Sequence, residues 1–434
     1  MKNLYFIVLT LMTFCFSQAQ IVSIPDANFK NTLVNSNCVD INGDGNGDID
    51  ADSNNDGEIQ QAEAEAVIGL NVSYKAIHSL EGIQSFSNLE YLNCEVNQLT
   101  DLDLSQNTNL TILDCYFNNI TSLLIPQSPN LIELDCGSNE LSSLDISHNI
   151  NLEILWFSYN QITSIDLTQN PNLKVLSCVS NQLTSLDVSE NPLLEFLYCE
   201  SNQLTNLELL NPNLEILSAL NNQLTSLDIS QSPNLTELRL IYNNLTSLDV
   251  SQNHNLGLLD CRDNQITNLD VSNLSNLTAL FCSENLLTNL NIRNGNNQIM
   301  TEMIAINNPN LFCVNVDDVQ YANAQICDIS PPFYNGWCID SWANYSENCI
   351  LGTNNYTYDS ISFYPNPVEN GILHLEYNSE LKVQTLQIYN TLGELVITKH
   401  NNYQTIDISM LKSGIYFLKF KTKEKLVIKK IIKN

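Results

Sequence analysis

The sequence predicts a mainly β chain: a solenoid of short repeats with a helical amino-terminal cap, followed by a small antiparallel β-sandwich. Three observations predict it. Ten rows begin at Asn88, Asn109, Asn130, Asn151, Asn172, Leu193, Asn213, Asn234, Asn255 and Asn276, and every spacing is 21 except the sixth, which is 20. Within those rows several columns hold one residue type almost throughout. Beyond about residue 360 the pattern changes to alternating apolar residues broken by Asn370-Gly371 and Leu392-Gly393 turns. A 21-residue unit is too small to bury a core by itself, so the rows must stack on their neighbours.

The columns say how. The first row reads NLEYLNCEVNQLTDLDLSQNT. One Leu column runs from Leu89 through Leu110 and Leu131 to Leu277, and a second from Leu92 through Leu113 and Leu134 to Leu280. The next inward column holds Cys94, Cys115, Cys136, Phe157, Cys178, Cys199, Ala219, Leu240, Cys261 and Cys282. Exchange of Cys with Phe, Ala and Leu marks an apolar filler. In-register parallel strands lie ~4.8 Å apart, wider than the ~3.8 Å between Cβ atoms that a disulfide wants, so a disulfide ladder is not expected. Asn97, Asn118, Asn139, Asn160, Asn181, Asn202, Asn222, Asn243, Asn264 and Asn285 form an unbroken amide column. An amide both donates and accepts, so such a column can satisfy the turn backbone around it. Asp103, Asp145, Asp166, Asp187, Asp228, Asp249 and Asp270, beside Ser and Thr, read as a solvated ladder of turn caps.

This row pattern, L-x-x-L-x-[C/apolar]-x-x-N-x-[L/I]-x-x-[L/I]-x-[L/I/V], resembles the leucine-rich repeat over nearly half the chain. The resemblance implies a curved right-handed coil with a parallel sheet on its concave face. Side chains alternate along each strand, so the residues flanking each buried Leu point outward. There the columns vary: Tyr91, Ile112, Glu133, Ile154, Val175 and Phe196 in one; Asn93, Asp114, Asp135, Trp156, Ser177 and Tyr198 in the next. Inside a single repetitive sequence, that contrast separates scaffold from display surface. Candidate ligand-binding residues on this face are Tyr91, Tyr116, Trp156, Phe196, Tyr198, Arg239, Arg262 and Phe281, with Trp156, Phe196 and Tyr198 as the aromatic centre.

Residues 1–19 carry Lys2, an apolar run from Leu4 to Phe16, and Ser17-Gln18-Ala19, the pattern of a secretory leader too short to span a bilayer. Residues 20–87 should cap the solenoid, with a helix starting after Asp26 and a degenerate first repeat from Leu70. Between them lies DINGDGNGDIDADSNNDGEIQQAEAEA. Asp52, Asn54, Asp56, Gly57, Glu58 and Glu63 fall at positions 1, 3, 5, 6, 7 and 12 of an EF-hand-type loop, where alternating oxygen ligands wrap a hard cation and the last Glu closes it. Two departures are Ala64, where that family prefers a larger apolar residue, and the lack of a clear entering helix. Asp40, Asn42, Asp44 and Asp48 repeat the spacing with Ala51 at position 12; taken together, Asp40 to Gly57 is similar to a thrombospondin type 3 calcium repeat. The expected cofactor is structural calcium.

The rows end near residue 295. Residues 296–350 should form the far cap, where Cys313, Cys327, Cys338 and Cys349 suggest two disulfides in any of three pairings; Cys38 has no evident partner. A linker over 351–360 leads to 361–434. From Leu351 onward the chain holds ten Lys against seven acids (net +3), while the 350 residues before it carry a net −34. Tyr364-Pro365-Asn366-Pro367, Gly371-Ile372-Leu373, Ile388-Tyr389-Asn390, Ser413-Gly414-Ile415-Tyr416 and the basic tail Lys429-Lys430-Ile431-Ile432 resemble the C-terminal sorting domain of type IX secretion. That resemblance implies export across the outer membrane of a Gram-negative bacterium, with type IX secretion machinery as a partner and surface attachment or release as the destination.

Strong acidity disfavours nucleic acid and anionic membranes as partners, and nothing beyond the leader predicts membrane insertion. Five scattered His and no nucleophile motif argue against an enzyme. The expected function is an exported module recognising a protein or glycan through the concave face. A structural coat component is the alternative.

Overall fold

The computed structural model describes residues 20–328, 335–349, 361–377, 383–401, 403–422 and 426–434; the expected leader and linker lie outside them. The chain divides into two compact units, Met1–Ile216 and Leu217–Asn434.

The first unit opens with the helix Ala27–Asn35. Asp26 caps it: one carboxylate oxygen accepts from the backbone N–H of Asn28 and Phe29, at 2.9 and 2.8 Å. Such a cap contributes about 1 kcal/mol. The other oxygen accepts from the backbone N–H of His78, at 2.9 Å, which ties the helix to the first turn of the solenoid. Phe29 and Leu33 are fully buried beneath it. Val39–Asp40 pairs antiparallel with Gly69–Asn71, and the rungs that follow, as far as Phe196–Tyr198, pair in parallel. Leu70, Leu92, Leu113, Leu134, Leu155, Leu176 and Leu197 stand in one register, so the degenerate first row is a full rung. Each strand is only three residues long, with its middle residue buried and its two neighbours partly open.

The Asn column is buried and fully used. Asn160 is typical: its Oδ1 accepts from Leu141 N–H at 2.9 Å, and its Nδ2 donates to the carbonyls of Cys136 and Phe157 at 3.0 Å. One side chain thus bonds the rung before it and its own rung. A second amide ladder, which the sequence reading did not single out, lies elsewhere on each rung. Asn149 donates to the carbonyls of Pro126 and Ser128, and Asn170 to those of Ile146 and Asn149. The acidic column does cap turns: Asp145, Asp166 and Asp187 accept from backbone N–H groups two residues on, and these bonds, led at Asp166 by the Thr168 hydroxyl, hold their carboxyls below the ordinary range.

In the second unit the same sheet pattern continues past the tenth row. Leu238, Leu259, Leu280, Met303 and Trp337 share a register, so the far cap is itself built of rungs. A second ribbon joins Asn268–Asp270, Asn289–Asn291, Cys313–Asn315 and Asn344–Ser346, all parallel. Disulfides join Cys313 to Cys349 and Cys327 to Cys338. The remaining cysteines of the described residues form no disulfide and are buried, Cys38 among them. Burial pushes the Cys38 thiol up to about 12 and the ladder thiols higher still.

The C-terminal region is a sandwich of two antiparallel sheets. One holds Ile361–Tyr364, Ile372–Tyr377 and Thr405–Asp407; the other holds Leu395–Lys399, Val383–Asn390, Gly414–Thr422 and Leu426–Lys433. Leu373, Leu386, Ile388, Ile406, Leu418 and Phe420 are buried in one core between them. It is not detached from the last solenoid rungs. The Phe417 ring lies 5.4 Å from that of Phe312. Gly393, at φ +78°, approaches so closely that an added Cβ would sit 2.6 Å from the carbonyl oxygen of Pro309.

Candidate functional site

Two places could do chemistry or bind: the exposed sheet face and the acidic loops of the amino-terminal cap.

On the first unit's face, parallel register sets the neighbours. Ile154, Val175 and Phe196 form one line; Trp156, Ser177 and Tyr198 form the next. Trp156 and Tyr198 therefore stand two rungs apart, roughly 10 Å, with the small Ser177 between them. Ser177 and Ser158 hydroxyls hydrogen-bond at 2.7 Å, and Ser158 Oγ accepts from Val179 N–H, which fixes the floor of that gap. Trp156, Phe196 and Tyr198 are each partly open to solvent on a rigid sheet. Toward the amino end the same two lines carry Asp114, Glu133 and Asp135 on adjacent rungs. Partial burial, with like-charged neighbours, pushes Asp114 up to about 6 and Asp135 up to about 7. Burial also raises Glu133. This acidic stretch is a surface where a cationic group would be welcome and an anion would not.

The other expected face residues are spread out. Tyr91 lies under the first acidic loop, its Oη 3.4 Å from where a Cβ on Gly45 would be. Tyr116 is exposed and packs at a tilt on Phe117, ring centroids 6.0 Å apart. In the second unit Arg239 pairs with Glu237 at 2.7 Å. Arg262 is held by both oxygens of Asp260, at 2.9 and 2.6 Å, and its guanidinium lies 5.2 Å over the Phe281 ring. The arginines are thus braced in place, and an incoming ligand would meet ion pairs there.

The two acidic loops have matching geometry. In the second, Asp52 accepts from the backbone N–H of Asp56 at 3.1 Å and of Gly57 at 2.8 Å; Asn54 Oδ1 accepts from Asp56 N–H, and Gly57 takes φ +84°. Glu63 accepts from Ser53 Oγ, Asn54 N–H and Gln60 N–H, at the start of the exit helix Gln61–Ala66. In the first, Asp40 accepts from Gly43 and Gly45 N–H, both at 2.8 Å; Asn42 Oδ1 accepts from Asp44 N–H, and Asp48 accepts from Ile41 N–H and Asn42 Nδ2. All are oxygen donors on a tight loop, the right chemistry for a hard cation. Among the described residues, however, no three His, Cys, Asp or Glu side chains are gathered closely enough to hold a metal. In the second loop the Gln60 amide takes the middle: its Nε2 lies 3.1 Å from both Asp56 oxygens and 3.5 Å from the Glu58 carbonyl. Glu58 turns outward to Lys30, at 2.6 Å. A cation would have to displace the Gln60 amide.

Comparison with known proteins bears on the two halves separately. Residues 362–434 match the secretion system C-terminal sorting domain, and residues 150–192 match a two-copy leucine-rich repeat family. No curated protein matches the chain. Among solved structures, an internalin (inlF) from Listeria monocytogenes is 23% identical, at TM-score 0.49, over 65% of this chain and 89% of its own. The functional domain of InlJ from the same organism, described as including a cysteine ladder, is 22% identical at TM-score 0.39, over 87% of this chain and 93% of its own. The PEPR1–AtPEP1 structure is 22% identical at TM-score 0.52, over 59% of this chain and 43% of its own, and shares the fold. No helix of the described residues is long and apolar enough to cross a membrane. The chain therefore carries leucine-rich repeats and a type IX secretion sorting domain, and the second of these marks it for export, to be attached at the cell surface or released.

Proposed function

We propose that the chain is an exported, non-enzymatic binding module that recognises a protein or glycan through the exposed face of its sheet. One observation carries this reading: in each sheet strand from Tyr91–Asn93 to Phe196–Tyr198 the buried residue is Leu, while its flanking residues change from rung to rung. A scaffold that keeps its inner columns and varies its outer ones is built to display. The Trp156–Ser177–Tyr198 line, with Phe196 beside it, has the aromatic content of an interface centre. Capture of surface extracts by the mature chain, with Trp156→Ala beside it, tests the reading. Loss of the captured species in the variant supports it; unchanged capture places recognition elsewhere.

We also propose that the second acidic loop takes calcium as a structural ion, with Asp52, Asn54, Asp56 and Glu63 as side-chain ligands and the Glu58 carbonyl as another. Asp52 already bonds Gly57 and Asp56 in the manner such a loop requires, which supports the assignment. An ion that binds only the folded state at a hundredfold excess over Kd stabilises by about 2.7 kcal/mol. Asp52→Ala with Asp56→Ala should abolish any calcium-dependent rise in melting temperature; a rise that persists means the ion binds elsewhere.

A further inference from the structure

A line of left-handed residues stands beside the sheet, at Tyr74 and then on the residue immediately before each ladder Asn from Asn97 onward, and in the first unit three of its side chains are aromatic. The backbone there is left-handed on every rung: φ is +58° at Tyr74, +52° at Val96, +55° at Phe117, +52° at Ser138, +57° at Tyr159 and +53° at Ser180. Inter-rung hydrogen bonds keep these residues in one line. Tyr74 N–H donates to Glu95 O, Val96 to Tyr116, Phe117 to Gly137, Ser138 to Ser158 and Tyr159 to Val179. Every second rung in this stretch is aromatic, and Tyr74, Phe117 and Tyr159 are 68%, 57% and 58% exposed.

Such a residue is doubly disfavoured. A bulky side chain at positive φ is strained, and an exposed ring gains nothing from the core. The fold does not require it, because Ser138, Ser180 and Ser201 hold the same conformation in the same line. Nor do the rings pack down as lids: Phe117 meets the Tyr116 ring at a tilt, yet Tyr116 is itself exposed and Phe117 remains open to solvent. What remains is display at fixed intervals. Two rungs are roughly 10 Å, close to the advance of a two-sugar step in an extended β-linked glycan, whose flat apolar sugar faces stack on aromatic rings. Alongside the row runs a line of exposed amides, Gln98, Asn119 and Gln161, interrupted by Glu140. Neutral amides suit sugar hydroxyls. The net −34 of the first 350 residues repels an anionic polysaccharide.

We propose that Tyr74, Phe117 and Tyr159 form a stacking strip for a neutral, extended β-linked polysaccharide, separate from the sheet face. The backbone hydrogen bonds hold the attachment points of the rings at set intervals before the ligand arrives, so the backbone loses little freedom on binding. Spacing by whole rungs also makes affinity depend on chain length, since a disaccharide reaches one ring and a hexasaccharide spans all three.

Calorimetry on the full mature chain tests this with cellohexaose, chitohexaose and cellobiose. One hexasaccharide should bind, and cellobiose should bind roughly tenfold or more weakly, about 1.4 kcal/mol. The triple variant Tyr74→Ser, Phe117→Ser, Tyr159→Ser should lose at least as much. Serine already occupies this conformation in the same line, and a melting curve verifies that the variant folds; Phe117→Ser alone serves if the triple does not. Tyr242→Ser, at the same backbone conformation in the second unit, should leave binding unchanged. Failure of both hexasaccharides to bind, or unchanged binding by the folded serine variants, overturns the strip. Loss of hexasaccharide binding in Trp156→Ala overturns it too, moving the glycan to the sheet face.

Discussion

The repeat stack and the C-terminal sandwich are both β, yet they are held together in opposite ways. In the stack the ladder side chains reach only their own rung and the one before: Asn160 bonds Leu141, Cys136 and Phe157. In the sandwich the pairings join residues far apart in sequence, as Ile372 with Asp407 and Val383 with Thr422, around one shared core. Damage to a rung should therefore stay near that rung, whereas damage to the sandwich core should unfold all of it. That difference also fits the display role proposed for the stack, which would have to tolerate variation along its length, and the export role of the sandwich, which is read as one object.

The largest effect should come from the sandwich. Leu386→Ala empties a fully buried site and should cost about 2–5 kcal/mol. Calorimetry should show loss of the sandwich transition with the first unit's hydrogen exchange unchanged; if the first unit loosens as well, the two are not energetically separate.

Next is the ladder. Asn160→Ala leaves the Leu141 N–H and Cys136 carbonyl without their partner, and each buried unmatched group costs about 1–3 kcal/mol. The expected loss is roughly 3 kcal/mol, read from the urea midpoint. Faster hydrogen exchange should be confined to the rungs around residues 139–181, and exchange that rises along the whole stack would break the contrast with the sandwich.

A smaller effect, of opposite sign, is expected on the sheet face. Burial raises the folded-state values of Asp114 and Asp135 to about 6 and about 7. Groups raised in this way favour the fold while protonated in both states, and that contribution is lost as pH climbs from about 4 through 6 to 7. Acidification from pH 7.5 to 4 should thus relieve this patch. Asp135→Asn, which keeps an acceptor for Gly137 N–H, should stabilise by about 1 kcal/mol at pH 7.5 and by less at pH 4. Equal effects at both pH values would mean the carboxyl is not under strain.

The smallest concerns the seam between the sandwich and the last rungs. Phe417→Ala removes a tilted ring pair worth about 0.5–1.5 kcal/mol and should speed exchange around Phe312 while leaving the sandwich's own melting in place. If nothing changes near Phe312, the contact carries no energy.

Much of the scaffold was readable from the sequence because repetition supplies its own comparison. Leu and Asn recur wherever the stack needs a filler or a backbone partner, so their positions expose the registry. The second amide ladder was visible in Asn107, Asn149, Asn170, Asn191, Asn211 and Asn253, but Ser128 and Ser232 interrupt it and the eye follows the unbroken column. The continuation of rungs through Met303 and Trp337 was hidden because neither is Leu and the spacing changes; only backbone pairing reveals them. The left-handed line carrying Tyr74, Phe117 and Tyr159 leaves no conserved letter, since what is constant there is φ and not the residue. The role of Gln60 was also invisible. A loop motif names the donors, and the amide lying among them depends on side-chain placement.

The buried thiols have a consequence in time. Among the described residues eight cysteines lie buried outside any disulfide, while Cys313, Cys327, Cys338 and Cys349 are paired. An oxidising compartment does not distinguish the two sets by chemistry, since any thiol open to solvent can be attacked. Sequence order separates them instead. A chain made amino end first presents Cys38 and then Cys94 through Cys282 before the last four arrive. If the rungs form in that order, each one buries the thiol of the one before, the ladder cysteines leave exchange as the stack grows, and the last four are left to meet one another.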